Sequence, residues 1–150
     1  MSTTTDGKIF FGVPFEEGFE FPWNDFEGIE AWWEDEWSFT PTVNPWDKEG
    51  NRTADYTDEK ISQYFTEKRK FHADRPIPVV DVNYCSGEYP MIALAVPGSV
   101  KSASRGCPTA FDPGELVVDV VAKAAFFDFC TEYSIVPPQP PQWFLASYWG

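Results

Sequence analysis

The sequence predicts an α+β fold: a small, mostly antiparallel sheet of about four strands with about three helices packed on it. Three observations carry this. The runs KIFFGVPF (8–15), VVDVNYC (79–85), MIALAV (91–96) and WFLASYW (143–149) have strand length and are rich in β-branched and aromatic residues. Three longer stretches place helix-start residues ahead of helically spaced apolar positions. The resulting order, strand–helix–helix–strand–strand–helix–strand, lacks the alternation of a parallel α/β chain and puts the helices on one face. A length of 150 residues with 43% hydrophobic content suits one ordinary domain with a real core.

Residues 1–7 (MSTTTDG) read as a flexible N-terminal tail, and residues 8–150 as a single domain. Lys8 to Phe15 reads as a strand that Gly12 and Pro14 weaken, which suits an edge position or a bulge. Glu16 to Trp23 is a turn-rich connector. A helix is predicted from Asn24, because Asn24 with Glu27 three residues on fits a capping box. Phe26, Ile29, Trp33 and Trp37 fall on one stripe of that helix, and Glu27, Glu30 and Glu34 on a neighbouring one. Trp32 lies off the apolar stripe, which predicts a partly exposed ring beside the acids. Residues 38–56, with Pro41, Pro45 and Gly50, read as a long loop.

A second helix is predicted over Thr57 to His72, capped by Thr57 or Asp58 and ended by Pro76 and Pro78. Its inward face runs through Ile61, Tyr64, Phe65, Lys68 and Phe71 or His72. The strands at 79–85 and 91–96 form a hairpin through the turn SGEYP, and the continuous apolar run MIALAV suits a central strand. Residues 97–111 read as a Gly/Ser-rich loop. Asp112, Pro113 and Glu115 supply a cap, a first-turn proline and an acid for a third helix reaching about Ser134. Leu116, Val117, Val120, Val121, Ala124, Phe127 and Cys130 trace its predicted buried face. PPQPP (137–141) is a stiff linker, and Trp143 to Trp149 is too apolar for a free end, so it reads as a last paired strand.

Charge is the strongest functional signal. The net charge is −13, and residues 1–60 hold 15 acids against 4 bases. Between Lys8 and Lys48 there is no base at all, while nine Trp and Phe rings at 19–46 interleave with ten acids at 16–47. Such a field repels nucleic acid and anionic membranes, which need clustered Lys and Arg. It attracts a basic protein surface, and the rings supply rigid contact area. The leading expectation is therefore a non-enzymatic acidic binding protein, with Glu27, Glu30, Trp32, Glu34, Asp35 and Glu36 meeting the partner. Where that partner is a nucleic-acid-binding protein, the chain would act as a nucleic-acid-mimic inhibitor. Small acidic anti-defence inhibitors of phages and mobile elements are of this type, a comparison resting on charge and size. The basic cluster Lys68, Arg69, Lys70 and Arg75 complements a helix C-terminus, or pairs with the acidic half within one chain or across a homodimer.

Glu27, Glu30 and Glu34 have helical spacing for a shared cation, but no calcium-loop pattern accompanies them. His72 is the single histidine, and Cys85, Cys107 and Cys130 form no CxxC motif. A small enzyme using Cys85 or Cys107 with His72, or a carboxylate site, is one alternative. A structural subunit of a larger assembly is another. Gly98 to Ser102 lacks the glycine that a phosphate loop needs before its lysine, which leaves Lys101, Ser102 and Arg105 as an anion contact only. No cofactor or metal motif is present. Three sparse cysteines suit a reducing compartment, and no secretory signal or membrane-spanning run is visible, so the expected location is cytoplasmic.

Overall fold

The computed structural model describes residues 5–149. The fold is α+β, with five strands and three helices. The chain forms two compact units: residues 25–77 are one, inserted into a second made of residues 5–24 and 78–149. Of the tail read over 1–7, residues 5–7 belong to the first strand, and residues 1–4 lie outside the described residues.

The sheet belongs to the larger unit. Strand β1 is Thr5–Pro14, β2 is Val80–Ser86, β3 is Pro90–Ala95, β4 is Lys101–Ser104 and β5 is Gln142–Trp149. The strand order is β3-β2-β5-β1-β4, and β3 also pairs with β1, so β1, β5, β2 and β3 close into a ring. All pairings are antiparallel except β2 with β5, which meet in parallel at Cys85–Tyr148 and Ser86–Trp149.

The hairpin at 79–96 and the last strand at 143–149 form as the alternating and apolar runs predict. The edge position predicted for β1 is overturned. Its residues Asp6 to Ile9 pair with β5 and with β4 at once, and Gly12 to Pro14 pair with β3. Pro14 stands at the last ladder position, where a missing N–H removes little. Gly12 serves the ring closure, because a Cβ there would lie 2.0 Å from the Leu94 carbonyl oxygen, in a crossing that admits no side chain.

Strand β4 lies in the stretch read as loop. Its sequence KSAS has no β-branched or aromatic residue, and its ladder to β1 holds it extended instead. Between β3 and β4 the chain bulges, which interrupts the ladder beside Phe11. The buried Ser99 fills the gap: its hydroxyl accepts from the Phe11 N–H at 3.2 Å and donates to the Val96 carbonyl at 2.7 Å.

One core lies inside the ring, where Phe10, Val82, Ala93 and Ala95 are buried with Val80, Tyr84, Phe144 and Ala146 against them. A second joins the end of β1 to the third helix through rings. Phe15, Phe19 and Phe21 meet at 4.6–5.0 Å, Phe21 stacks on Trp23 at 4.9 Å, and Trp23 reaches Phe129 at 6.4 Å.

That third helix, α3, is Val120–Glu132 and starts later than predicted. Asp112 does cap, but it caps a 3-10 turn over Pro113–Glu115. Asp119 then caps the helix proper. The buried face also differs from the predicted one. Phe126, Phe129 and Cys130 are buried, whereas Val117, Val120 and Val121 are 73–78% exposed. The helix is apolar on nearly every side, so spacing alone does not choose a face, and the aromatic core chooses Phe126 and Phe129.

In the smaller unit, α1 is Ile29–Glu36 and α2 is Asp58–Asp74. Helix α2 matches its prediction, with the Thr57 hydroxyl accepting from the Lys60 N–H at 3.3 Å. The capping box at Asn24 does not form. Residues 24–27 are turn, and Gly28, at φ 139°, is the residue from which α1 starts. Few residues other than glycine adopt that φ, so the helix start moves to Ile29.

Candidate functional site

The acidic unit, residues 25–77, holds the predicted partner-binding residues. Glu27 is exposed in the turn before α1, Glu30 is exposed in its first turn, and Asp35 and Glu36 are exposed at its end. Among the described residues these four carboxylates make no ion pair.

Glu34 departs from the predicted outward ridge. Its Oε1 meets His72 Nε2 at 2.8 Å and Lys68 Nζ at 3.3 Å, both supplied by α2. The basic cluster at the end of α2 therefore pairs in part with the acidic segment of its own chain. Arg75 adds to this: its guanidinium lies 4.7 Å from the Trp37 ring centroid, and its carbonyl accepts from the Trp33 indole N–H at 2.8 Å.

The tryptophans also exchange roles. Trp32, predicted to be partly exposed, is 5% exposed, whereas Trp37 is 41% exposed. Helix α1 is two turns long, and Trp37 stands at its C-cap with φ −100°, outside the helical register that the stripe assumed. Trp32 and Trp33 are buried with Ile29, their rings 5.8 Å apart.

The end of α1, the loop that follows it and α2 line a wide-open cavity of about 490 Å³. Glu34, Asp35 and Asp47 supply its carboxylates, Ser38, Thr40 and Asn44 its neutral polar groups, and Phe39, Trp46 and Tyr64 its rings. The rings are held in a network in which Trp46 meets Tyr64 at 5.8 Å and Phe39 meets Phe71 at 5.0 Å.

The loop that brings these groups together is fixed by local hydrogen bonds. Asp47 Oδ1 accepts from the Glu49 and Asn51 N–H groups at 3.0 and 2.8 Å, closing a turn in which Trp46 and Arg52 pair as a bridge. Asp55 accepts from the Asn44 N–H at 3.1 Å and from Lys60 at 2.7 Å, and these partners hold its carboxyl below the usual range. Thr42 is tied to Glu67.

Chemically, such a cavity favours a cationic group. Glu34 is already engaged by Lys68 and His72, but Asp35 has no cation beside it among the described residues. A carboxylate next to aromatic rings attracts an ammonium or guanidinium through both charge and ring quadrupole. The predicted partner-binding residues Glu34 and Asp35 line this cavity, and so do Trp46, Asp47 and Tyr64, which were not among them. The ring-and-acid composition of 44–47 is visible in the sequence, but its approach to Tyr64 is not.

The remaining candidates belong to the larger unit. Lys101, in β4, pairs with Glu115 at 2.9 Å, which holds the Glu115 carboxyl below its usual range. Ser102 pairs with Lys8 across the ladder, and the Arg105 N–H donates to the Thr5 carbonyl at 2.7 Å. Cys85 and Cys107 are exposed free thiols, while Cys130 is buried and its thiol is pushed up to about 11 by desolvation. Among the described residues no three His, Cys, Asp or Glu groups converge as metal ligands, and no helix is long and apolar enough to cross a membrane.

Neither family models, curated proteins nor solved structures give a match to this chain.

Proposed function

We propose that this is a non-enzymatic binding protein whose acidic unit engages a basic surface of another protein. The observation that carries the reading is the cavity in which Asp35 and Asp47 stand with Trp46, Tyr64 and Phe39, beside the exposed carboxylates of α1. A partner Arg or Lys enters the cavity, and Glu27, Glu30 and Glu36 supply the field that draws the basic surface in. Exposed charges of this kind act mainly on association rate and specificity, while the rings hold the bound side chain. In its sharper form the reading makes the partner a nucleic-acid-binding protein and this chain a competitive mimic of the nucleic acid.

The experiment is capture of the partner from host lysate, followed by binding kinetics with the purified partner. Association is expected to slow with rising salt and in the Glu30→Lys/Asp35→Lys/Glu36→Lys variant, and duplex DNA is expected to compete. Binding indifferent to both salt and the triple variant refutes the reading. It would favour a structural subunit instead, for which the exposed Val117, Val120 and Val121 speak.

A further inference from the structure

The larger unit contains a second concavity, unrelated to the acidic one. It has a volume of about 360 Å³, within the range of roughly 300–1,000 Å³ common to small-molecule sites. Its floor is the face of β5, β1 and β4. Ladder pairing sets Leu145, Ile9 and Lys101 in one row and Ser147, Gly7 and Ala103 in the next. Its cover is the segment Thr109 to Phe111, with Glu115 from the 3-10 turn.

Three features mark it as built to hold something. Leu145 is 78% exposed in the middle of a paired strand, and Phe111 is exposed across the cavity from the sheet. A Cβ on Gly7 would meet no atom within 4 Å, and Gly7 has no left-handed φ, so the backbone does not demand glycine there. Its missing side chain leaves the floor open. The polar end is the Lys101–Glu115 pair at 2.9 Å. An ammonium has three donors, and Glu115 is the one carboxylate that Lys101 meets among the described residues.

We propose that this cavity binds a compact apolar molecule with a single anionic head, of the monocarboxylate class. The body lies on Ile9, Ala103 and Leu145 beneath Phe111, and the carboxylate shares Lys101 with Glu115. Apolar contact dominates, and the Lys101 donors that Glu115 does not use select the head group.

The test uses the full chain, with 1-anilinonaphthalene-8-sulfonate as fluorescent probe and decanoate and decanol as competitors. One saturable probe site per chain is expected, with decanoate displacing the probe about tenfold better than decanol. Gly7→Val fills the floor without backbone strain and should weaken probe binding at least ~tenfold with no fall in melting temperature. Ala110→Phe closes the cavity from the other side and should do the same, so a misfolded Gly7 variant does not end the test. Lys101→Met should abolish the preference for acid over alcohol. Val120→Ser/Val121→Ser, on the exposed face of α3, should leave binding unchanged. Non-saturable probe binding, wild-type binding in a folded cavity-filling variant, or loss of binding in Val120→Ser/Val121→Ser overturns the site. Equal displacement by decanoate and decanol overturns the head group.

Discussion

Replacing Glu34 and replacing its neighbour Asp35 should have different consequences, although both belong to one run of acids. Glu34 has a side chain only 15% exposed and reaches two partners on α2, the His72 ring at 2.8 Å and the Lys68 ammonium at 3.3 Å. Hydrogen bonds to charged groups are worth roughly 1.5–3 kcal/mol, and the Lys68 contact is discounted because that side chain is 31% exposed. Glu34→Ala should therefore cost about 1–2 kcal/mol. For a chain of this length that corresponds to a fall in melting temperature of about 2–8 °C. Asp35 is exposed and makes no ion pair among the described residues, so Asp35→Ala should leave stability alone and slow association with a basic partner.

The assay is urea unfolding followed by tryptophan fluorescence, which reports the acidic unit through Trp32, Trp33, Trp37 and Trp46. A double-mutant cycle of Glu34→Gln with Lys68→Met should return a coupling of about 0.5 kcal/mol or more. An unchanged unfolding midpoint in Glu34→Ala, or an equal loss in Asp35→Ala, would refute the assignment of one acid to the fold and the other to the surface.

Ser99→Ala should destabilise by about 1–3 kcal/mol, because the buried Phe11 N–H loses its acceptor, and native-state hydrogen exchange should show the Phe11 amide opening faster. Cys85 and Cys107 should react quickly with a thiol reagent at neutral pH, and Cys130 only on unfolding. The Cys130 thiol is raised from 9.0 to about 11 in the folded chain, so the unfolded chain loses that proton first. Its contribution to stability is complete below about pH 9 and is lost as pH rises toward 11. Alkaline unfolding of Cys130→Ala should show a shallower pH dependence over that window, with the residual slope including Tyr84, whose phenol is also raised by burial. Deleting residues 142–150 removes β5, which pairs with β1 over Thr5 to Gly12, and should leave an aggregating or molten product by near-ultraviolet circular dichroism and gel filtration.

Local chemistry was enough to read much of this chain. The Thr57 cap and the stripe behind it specify α2, because caps and i,i+4 neighbours lie within one turn of each other. The β-branched run at 79–85 and the apolar run at 91–96 specify a hairpin for the same reason, and the apolar run at 143–149 specifies a strand that must find a partner. The concentration of acid before residue 60 is likewise a property of the sequence.

What the sequence left open depends on residues far apart in the chain. Glu34 and His72 are separated by 38 positions, so no local pattern separates Glu34, facing α2, from Asp35, facing solvent. Strand β4 carries no propensity signal and exists through its ladder to β1, more than ninety residues away in sequence. Helix α3 has apolar residues on nearly every side, so burial of Phe126 and Phe129 in place of Val120 and Val121 was decided by the aromatic core around Trp23. The ring closure at Gly12 likewise needs a backbone crossing with Leu94 before the missing side chain acquires a reason. Periodicity reports what neighbours within a turn or a hairpin can do, while the face buried, the charge paired and the strand recruited are set by packing between distant segments.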